Sequence, residues 1–437
     1  MNPLISAADE KGRGAPLLTS SLTPAGRNLQ FLLLIIAATT AAYARFSISP
    51  LQEAMRSALS LSDNQMALLQ GPALALPMVM AAIPLGLLID RYSRVRLLLI
   101  FAVLDTSGSI LTALASSFTL LLIARGLVGL AVAAISTTAF SLLADLYAPA
   151  ERGRASMIVI VGQYGGMSAA FALGGALLAR PNAGHDSWRW AMLWLTGPMM
   201  AVMFLMLAMR EPSRTGLVIN KPSARQSFSE LWLYRGVIAP LLMGLVMAEM
   251  EILAVLTWAA PTLSRNFAVS TERVGAIMAI GLMVSGAVGP IAGGFLADLC
   301  QRAGGPRRTM SMLGWLAILA VPTGLFAVVP GVVPASVLLV TYLMLLGGSL
   351  VIGIALFTVV IPNELRGLCM STLAGAQVLF GVALAPMMVS LLSGILGGPD
   401  MIGRALALVC VTISILAAAT FMVGRRFLVD RRVVPST

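Results

Sequence analysis

Charge is what this sequence has least of. Only 11% of its 437 residues are Asp, Glu, Lys or Arg, while 58% are hydrophobic. A soluble chain carries roughly a quarter charged residues to cover its surface, so most of this surface faces something other than water. Cysteine is scarce too: Cys300, Cys369 and Cys410 are too few and too scattered for a disulfide framework or a metal site. The single histidine, His185, lies in a polar stretch beside Asp186. That excludes the usual histidine chemistry of zinc or haem and leaves no histidine to carry a proton inside a membrane. No G-x-x-x-x-G-K-[ST] run is present to cradle ATP phosphates, and no nucleophile–base constellation points to an enzyme. The net charge of +11 comes without a basic stripe interleaved with aromatics, so nucleic acid is not an expected partner. No cofactor or metal is expected.

What the chain does have is a succession of apolar runs, each long enough to cross ~30 Å of hydrocarbon as a helix. They predict an all-α, polytopic membrane protein with twelve transmembrane helices, at 28–49, 65–89, 95–116, 118–144, 155–179, 188–209, 236–260, 274–297, 309–329, 335–360, 367–395 and 403–424. The 41 glycines fit, because small residues let membrane helices approach closely. The longest loop, 210–235, carries Pro212, Pro222 and a Ser/Arg-rich middle, the composition of an inter-domain linker. The expected organisation is a disordered tail over 1–27, six helices over 28–209, the linker, six more over 236–424 and a tail over 425–437.

Among the loop Lys and Arg, only Arg56, Arg180, Arg189, Arg265, Arg273 and Arg404 fall on one side; all the others fall on the side of the two termini. Basic residues are retained in the cytoplasm, which predicts a multi-pass protein of the cytoplasmic (inner) membrane with both termini inside.

The two halves echo one another. Gly86-Leu87-Leu88-Ile89-Asp90-Arg91 ends the second helix and Gly294-Phe295-Leu296-Ala297-Asp298-Leu299 the eighth, each before a basic loop. Asp145-Leu146-Tyr147-Ala148-Pro149-Ala150-Glu151-Arg152-Gly153 after helix four is matched by Pro362-Asn363-Glu364-Leu365-Arg366-Gly367 after helix ten. A duplicated six-helix unit is a common way to build two bundles that rock about a central site.

At these residues the chain resembles the major facilitator superfamily. The run Gly86–Arg96 is similar to that family's loop signature between helices two and three, and Arg125-Gly126-Leu127-Val128-Gly129 to its fourth-helix element. The resemblance implies two pseudo-symmetric six-helix bundles and secondary active transport of a small solute by alternating access. Leu61-Ser62-Asp63-Asn64-Gln65, Leu74-Ala75-Leu76-Pro77 and Ile83-Pro84-Leu85-Gly86 also resemble bacterial members of the spinster-like branch, which is associated with lysolipids and sphingoid lipids. The chain departs from that branch at Ala44, where an Asp usually precedes the first-helix Arg, and at Val132, where a Glu usually stands. If those acids carry protons in relatives, this chain does so elsewhere or is driven differently. Helix five also lacks the Gly-Pro pair usual in the family's drug/proton antiporters, which counts against drug efflux.

Charges inside apolar spans cost several kcal/mol unless paired or wet, which singles out Arg45, Asp105, Arg125, Glu249 and Glu251. The resemblance implies that helices one and seven line a central cavity, which puts Arg45 there with Arg125 of helix four in reach, and guanidinium groups at such a place suit a carboxylate or phosphate. Glu249 and Glu251 stand about 200° apart on their helix, so only one should face the cavity. Either, or Asp105, is a candidate proton carrier, with Asp105 more readily explained as a structural partner of Arg125. Gln163, Tyr164 and Gln377 are candidate substrate contacts. Asp90, Arg91, Arg94, Asp145, Arg152, Asp298 and Arg302 are candidate gating residues, with Asp145–Arg152 and Asp298–Arg302 the expected pairs. The expected partners are a small, amphipathic or organic anion, protons and the lipid bilayer, with the protein a monomer. A uniporter, a sodium-driven carrier and a non-transporting sensor are the alternatives.

Overall fold

The structure is a computed structural model that describes residues 24–180, 187–212 and 235–428. Most of the expected N-terminal tail and linker, His185 with Asp186, and the chain beyond residue 428 lie outside the described residues.

Eleven helical stretches among the described residues are long and apolar enough to cross a membrane. The longest, Thr271–Ala327, holds two spans, because Gly305 takes φ 66° and ψ −156° and breaks the helix. A side chain is strained at that φ, and glycine is not. The twelve helices are α1 (Pro24–Phe46), α2 (Pro72–Arg91), α3 (Arg94–Leu114), α4 (Phe118–Leu146), α5 (Pro149–Leu178), α6 (Ser187–Leu205), α7 (Arg235–Phe267), α8 (271–304), α9 (306–323), α10 (Val332–Val360), α11 (363–396) and α12 (Ile402–Gly424). Two expected boundaries shift in ways that matter. Helix α1 begins at Pro24, inside the expected tail, and α7 continues past residue 260 through Pro261 to Phe267, which puts Arg265 on its last turn.

Two short helices, Gln52–Ala58 and Asp63–Gln70, connect α1 to α2. The second starts with a capping box: Ser62 Oγ accepts the Gln65 N–H at 3.2 Å, and Gln65 Oε1 accepts the Ser62 N–H at 2.8 Å. Two orphan amides are thereby satisfied at a helix start, which holds Asp63 in the first turn.

Packing follows the repeat. In the first half α4 lies against α2 and α3, and α1 against α5; in the second α10 lies against α8 and α9, and α12 against α7. Small residues allow these approaches: Gly129 of α4 meets the Leu74 backbone of α2, and a Cβ on Gly293 of α8 would come within 2.6 Å of the Gly348 oxygen of α10. The second sequence echo has a structural counterpart. Arg152 Nε donates to the Tyr147 oxygen at 3.1 Å and Arg366 Nε to the Ile361 oxygen at 3.0 Å, each reaching back five residues to a helix end.

The halves do not meet evenly along their length. Toward the face opposite the termini, a Cβ on Gly71 at the start of α2 would lie 2.9 Å from the Ala383 oxygen of α11. A Cβ on Gly175 of α5 would lie 2.9 Å from Gly275 Cα of α8. Toward the termini face the same four helices carry Gly86, Gly153, Gly294 and Gly367, where an added Cβ would meet nothing within 4 Å. Helix α2 is thus closed against α11, and α5 against α8, at the face opposite the termini, while at the termini face the four glycines have open space beside them.

Candidate functional site

Between the halves lies a cavity of about 210 Å³, lined by α1, α4, α5 and α7. Each wall follows from helical spacing. Ala42, Arg45 and Phe46 form one face of α1, and Glu249, Ile252, Leu253 and Leu256 one face of α7. Ser136 of α4 and Gln163, Tyr164 and Met167 of α5 complete it. The charged groups are a guanidinium from one half and a carboxylate from the other. Arg45 and Glu249 make no ion pair within 4 Å among the described residues, yet each feels the other's charge across the cavity. The Arg45 guanidinium rests over the Phe46 ring, 5.1 Å from its centroid, a cation–π contact that orients it without neutralising it.

Glu251 faces away from the cavity. It is 1% exposed, packed inside the second half, where Ser414 Oγ of α12 donates to its Oε1 at 2.6 Å.

Arg125 is fully buried in α4. Its Nη2 donates to the Arg45 backbone oxygen at 2.9 Å and its Nε to the Leu69 oxygen at 3.4 Å, tying α4 to the end of α1 and to the helix before α2. With Arg45, Gln70 and Thr257 it also lines a small side cavity of about 10 Å³, room for no more than a water. Among the described residues its Nη1 has no hydrogen-bond partner, nor has Oδ1 of buried Asp105 on α3. The charges of Asp105 and Arg125 interact, but no ion pair within 4 Å joins them among the described residues. Asp105 lines neither cavity.

Gln163 and Tyr164 line the central cavity. Tyr164 also packs its ring on Gly286 of α8, which bridges the halves at mid-depth. Gln377 is half-buried and lines neither cavity. It begins a π-helical stretch, Gln377–Leu384, whose wider turn brings Gly381 against Glu249: a Cβ there would come within 3.1 Å of Glu249 Cγ. A π-segment inside a helix frequently marks a functional position.

At the termini face the expected pairs are rearranged. Buried Arg94, rather than Arg152, is the guanidinium that meets Asp145. Arg94 also pairs with Glu211 at 3.0 Å, and Glu211 accepts from Ser93 Oγ at 2.7 Å and from the Val95 N–H at 2.9 Å. Burial pushes the Glu211 carboxyl up, but the Val95, Ser93 and Arg94 hydrogen bonds outweigh it and hold the group below its ordinary range. This node joins three helix ends of the first half. Asp90 and Arg91 are exposed at the end of α2. Asp298 and Arg302 are exposed at the end of α8 and make no ion pair among the described residues, because both project toward solvent.

The opposite face holds a cluster that sequence reading missed. All five N–H groups of Arg265, on the last turn of α7, are satisfied. Nε donates to Glu53 Oε2 (3.0 Å), and Nη2 to Glu53 Oε1 (2.6 Å) and Asp63 Oδ1 (2.8 Å). Nη1 donates to Asp63 Oδ2 (2.8 Å) and the Pro399 oxygen (3.2 Å). Arg56 flanks the two carboxylates at 3.6 and 3.8 Å. The acids belong to the first half and Arg265 to the second, so the cluster ties the halves together where they are closed. The one available signal was Asp63 within the capped run Leu61–Gln65.

Comparison with known proteins places these features in a family. The model of the Major Facilitator Superfamily matches residues 34–261. Human protein spinster homolog 1 is 32% identical over 174 residues, covering 39% of this chain and 32% of that protein. An uncharacterized MFS-type transporter of Mycobacterium tuberculosis is 29% identical over 200 residues, 46% of this chain and 27% of its own length. The chain therefore spans about a third or less of the length of these curated relatives. Among solved structures, an occupied, inward-facing bacterial homolog of the human lysosomal transporter spinster has a TM-score of 0.78 at 22% identity, covering 93% of this chain and 98% of the other. A D-xylose–proton symporter has a TM-score of 0.68 at 18% identity, over 89% and 97%. Both are likenesses of fold.

Proposed function

Because the chain belongs to the Major Facilitator Superfamily, we propose that it is a secondary transporter that moves an organic or amphipathic anion through the central cavity together with protons. The observation that carries this reading is Arg45 facing Glu249 from the other half across that cavity. A guanidinium held by the Phe46 ring but by no described carboxylate is free to take a carboxylate or phosphate of the solute. With the anion bound, Glu249 faces added negative charge and holds a proton more readily; when the anion leaves, Arg45 again favours its ionised form. That is a coupling between solute and proton through one shared cation. Gln163, Tyr164 and Ser136 would position the rest of the solute.

The retention of Lys and Arg on the termini side supports placing both ends, the linker over 210–235 and the parted face in the cytoplasm of a bacterial-type inner membrane. The six-helix units are then 24–209 and 235–424, and the closed face is external. The Arg265–Glu53–Asp63 cluster acts as the external gate, and its breakage would accompany opening to that side. The Arg94 node acts within the first half, bracing α3, α4 and the end of α6 so that the half moves as one body. That a fold neighbour is a D-xylose–proton symporter supports proton coupling as a workable mechanism for this fold.

Reconstitution in liposomes tests the reading. Solute-dependent proton movement should be present in the native protein and absent in Glu249→Gln, with solute uptake also abolished in Arg45→Ala. Solute flux that carries no protons, or that survives Glu249→Gln with its proton stoichiometry intact, would replace this scheme with a uniporter or a sodium-driven carrier.

A further inference from the structure

A second and larger hollow lies away from the transport pathway, on the flank of the second half near the termini face. It has a volume of about 500 Å³ and is walled by α8 and α9. The α8 wall is Leu296, Leu299, Cys300 and Ala303; the α9 wall is Arg308, Ser311, Met312 and Trp315. Both sets run i, i+3, i+4, i+7, so one continuous face of each helix lines the groove. The two helices meet at an apex formed by Gly304, Gly305 and Pro306 and diverge from it, which makes the groove a wedge.

The chemistry of the wedge is graded. Away from the apex its walls are Leu296, Met312 and Trp315, with Leu299 46% and Trp315 56% exposed although both are large and apolar. At the apex stands Arg308, seven residues or about 10 Å of helix from Trp315. Its stem lies over Gly304, where a Cβ would come within 3.1 Å of Arg308 Cβ and Cδ. No carboxylate among the described residues pairs with Arg308. Arg302 and Arg307 are exposed beside it. A groove that is apolar at the depth of acyl chains, and cationic where head groups lie, matches a phospholipid with an anionic head.

We propose that the α8–α9 wedge is a binding site for one anionic phospholipid of the leaflet on the termini side, with the phosphate held by Arg308 and an acyl chain laid along Met312 and Trp315. The site shares no residue with the central cavity, and it stands whether or not the transport reading does. Its occupant would wedge α8 from α9 and so fix the angle at the Gly305 break. Since α8 carries Gly275 and Gly286 to the first half, the lipid would bear on how the halves meet.

Native mass spectrometry of the full-length protein, titrated with phosphatidylglycerol or phosphatidylethanolamine of identical chains, tests the site directly. The first phosphatidylglycerol should bind more tightly than the first phosphatidylethanolamine. Arg308→Gln should weaken phosphatidylglycerol about fivefold, the scale of one interfacial cation, and phosphatidylethanolamine less, because its own ammonium already offsets the phosphate. Arg308→Lys should restore most of the preference, and Arg404→Gln, a like charge change on the opposite face, should not alter it. Met312→Trp, which narrows the groove and keeps the arginine, should weaken both lipids. Equal affinity for the two lipids, a preference that survives Arg308→Gln, or phosphatidylglycerol binding undisturbed by Met312→Trp would overturn the proposal. Competition by glycerol 3-phosphate, which has no chains, would overturn it in favour of a free-anion site.

Discussion

Arg265 grips Asp63 through two parallel hydrogen bonds of 2.8 Å, although 202 residues separate them in the chain. The pair is a fork-to-fork contact between guanidinium and carboxylate, the strongest common geometry for such groups, and the same guanidinium holds Glu53. Its position decides its meaning. A salt bridge within one half could only stiffen that half, whereas this one exists only while the two halves are together at that face.

Asp63→Asn should therefore unlock the closed face without disturbing either half. The substitution keeps the shape of the side chain and removes its charge, with a loss of about 1–3 kcal/mol in favour of the closed state, or roughly 5- to 150-fold in the ratio of the two. Spin labels at exposed Ser57 and Ser270, one in each half, would report the change as a new population at longer distance. A distance distribution identical to that of the native protein would remove the gate from the mechanism.

Glu251 should be separable from Glu249. Because it faces Ser414 and not the cavity, Glu251→Gln should retain solute-driven proton flux. Glu251→Ala should instead lower thermal stability, by about 2–4 kcal/mol for a cavity and an orphaned Ser414 hydroxyl. Loss of coupling in Glu251→Gln at unchanged stability would move the proton site to the interior of the second half.

Arg125 should prove to be a brace whose effect on transport runs through Arg45. Its Nη2 holds the Arg45 backbone oxygen, so Arg125→Ala should cost about 2–4 kcal/mol in unfolding and lower apparent solute affinity together. Arg125→Lys should recover little of either, since an ammonium cannot reach the Arg45 and Leu69 oxygens from the same stem in the same geometry. Thermal-shift and uptake measurements on the two variants would show whether stability and affinity fall in parallel; affinity lost with stability intact would instead make Arg125 a direct ligand.

Glu211 gives the first half a pH dependence with a defined sign. Its folded-state pKa lies below the ordinary value, so its stabilising contribution is complete above the unfolded value of about 4.3 and is lost as pH falls through the lower folded one. The melting temperature of the native protein should exceed that of Glu211→Gln at pH 7 and converge with it toward pH 3. A gap that persists undiminished in acid would mean that the carboxylate contributes packing alone.

Much of the architecture was legible because a bilayer leaves the chain few choices. Each apolar run must satisfy its own backbone, so run length reads out as helix. The Gly305 break was foreshadowed by the Gly304-Gly305-Pro306 run between the eighth and ninth spans. Helical periodicity showed that Glu249 and Glu251 could not share a surface. It could not say which one faced inward, since that depends on the rotation of α7, which is set by packing against α11 and α12.

The gate was not legible for a further reason. Arg265 was assigned to a loop because the helix that carries it continues through Pro261, and nothing local indicates that it continues. Arg94 was likewise given no partner in the sequence, yet the ends of α4 and α6 bring Asp145 and Glu211 to it within its own half. What each segment is could be read locally, because hydrophobicity, charge and helical spacing act over a few residues. Which charge meets which was decided only by the tertiary structure, because that depends on how two six-helix units are rotated and pressed together, and partners 202 residues apart leave no pattern in either local segment.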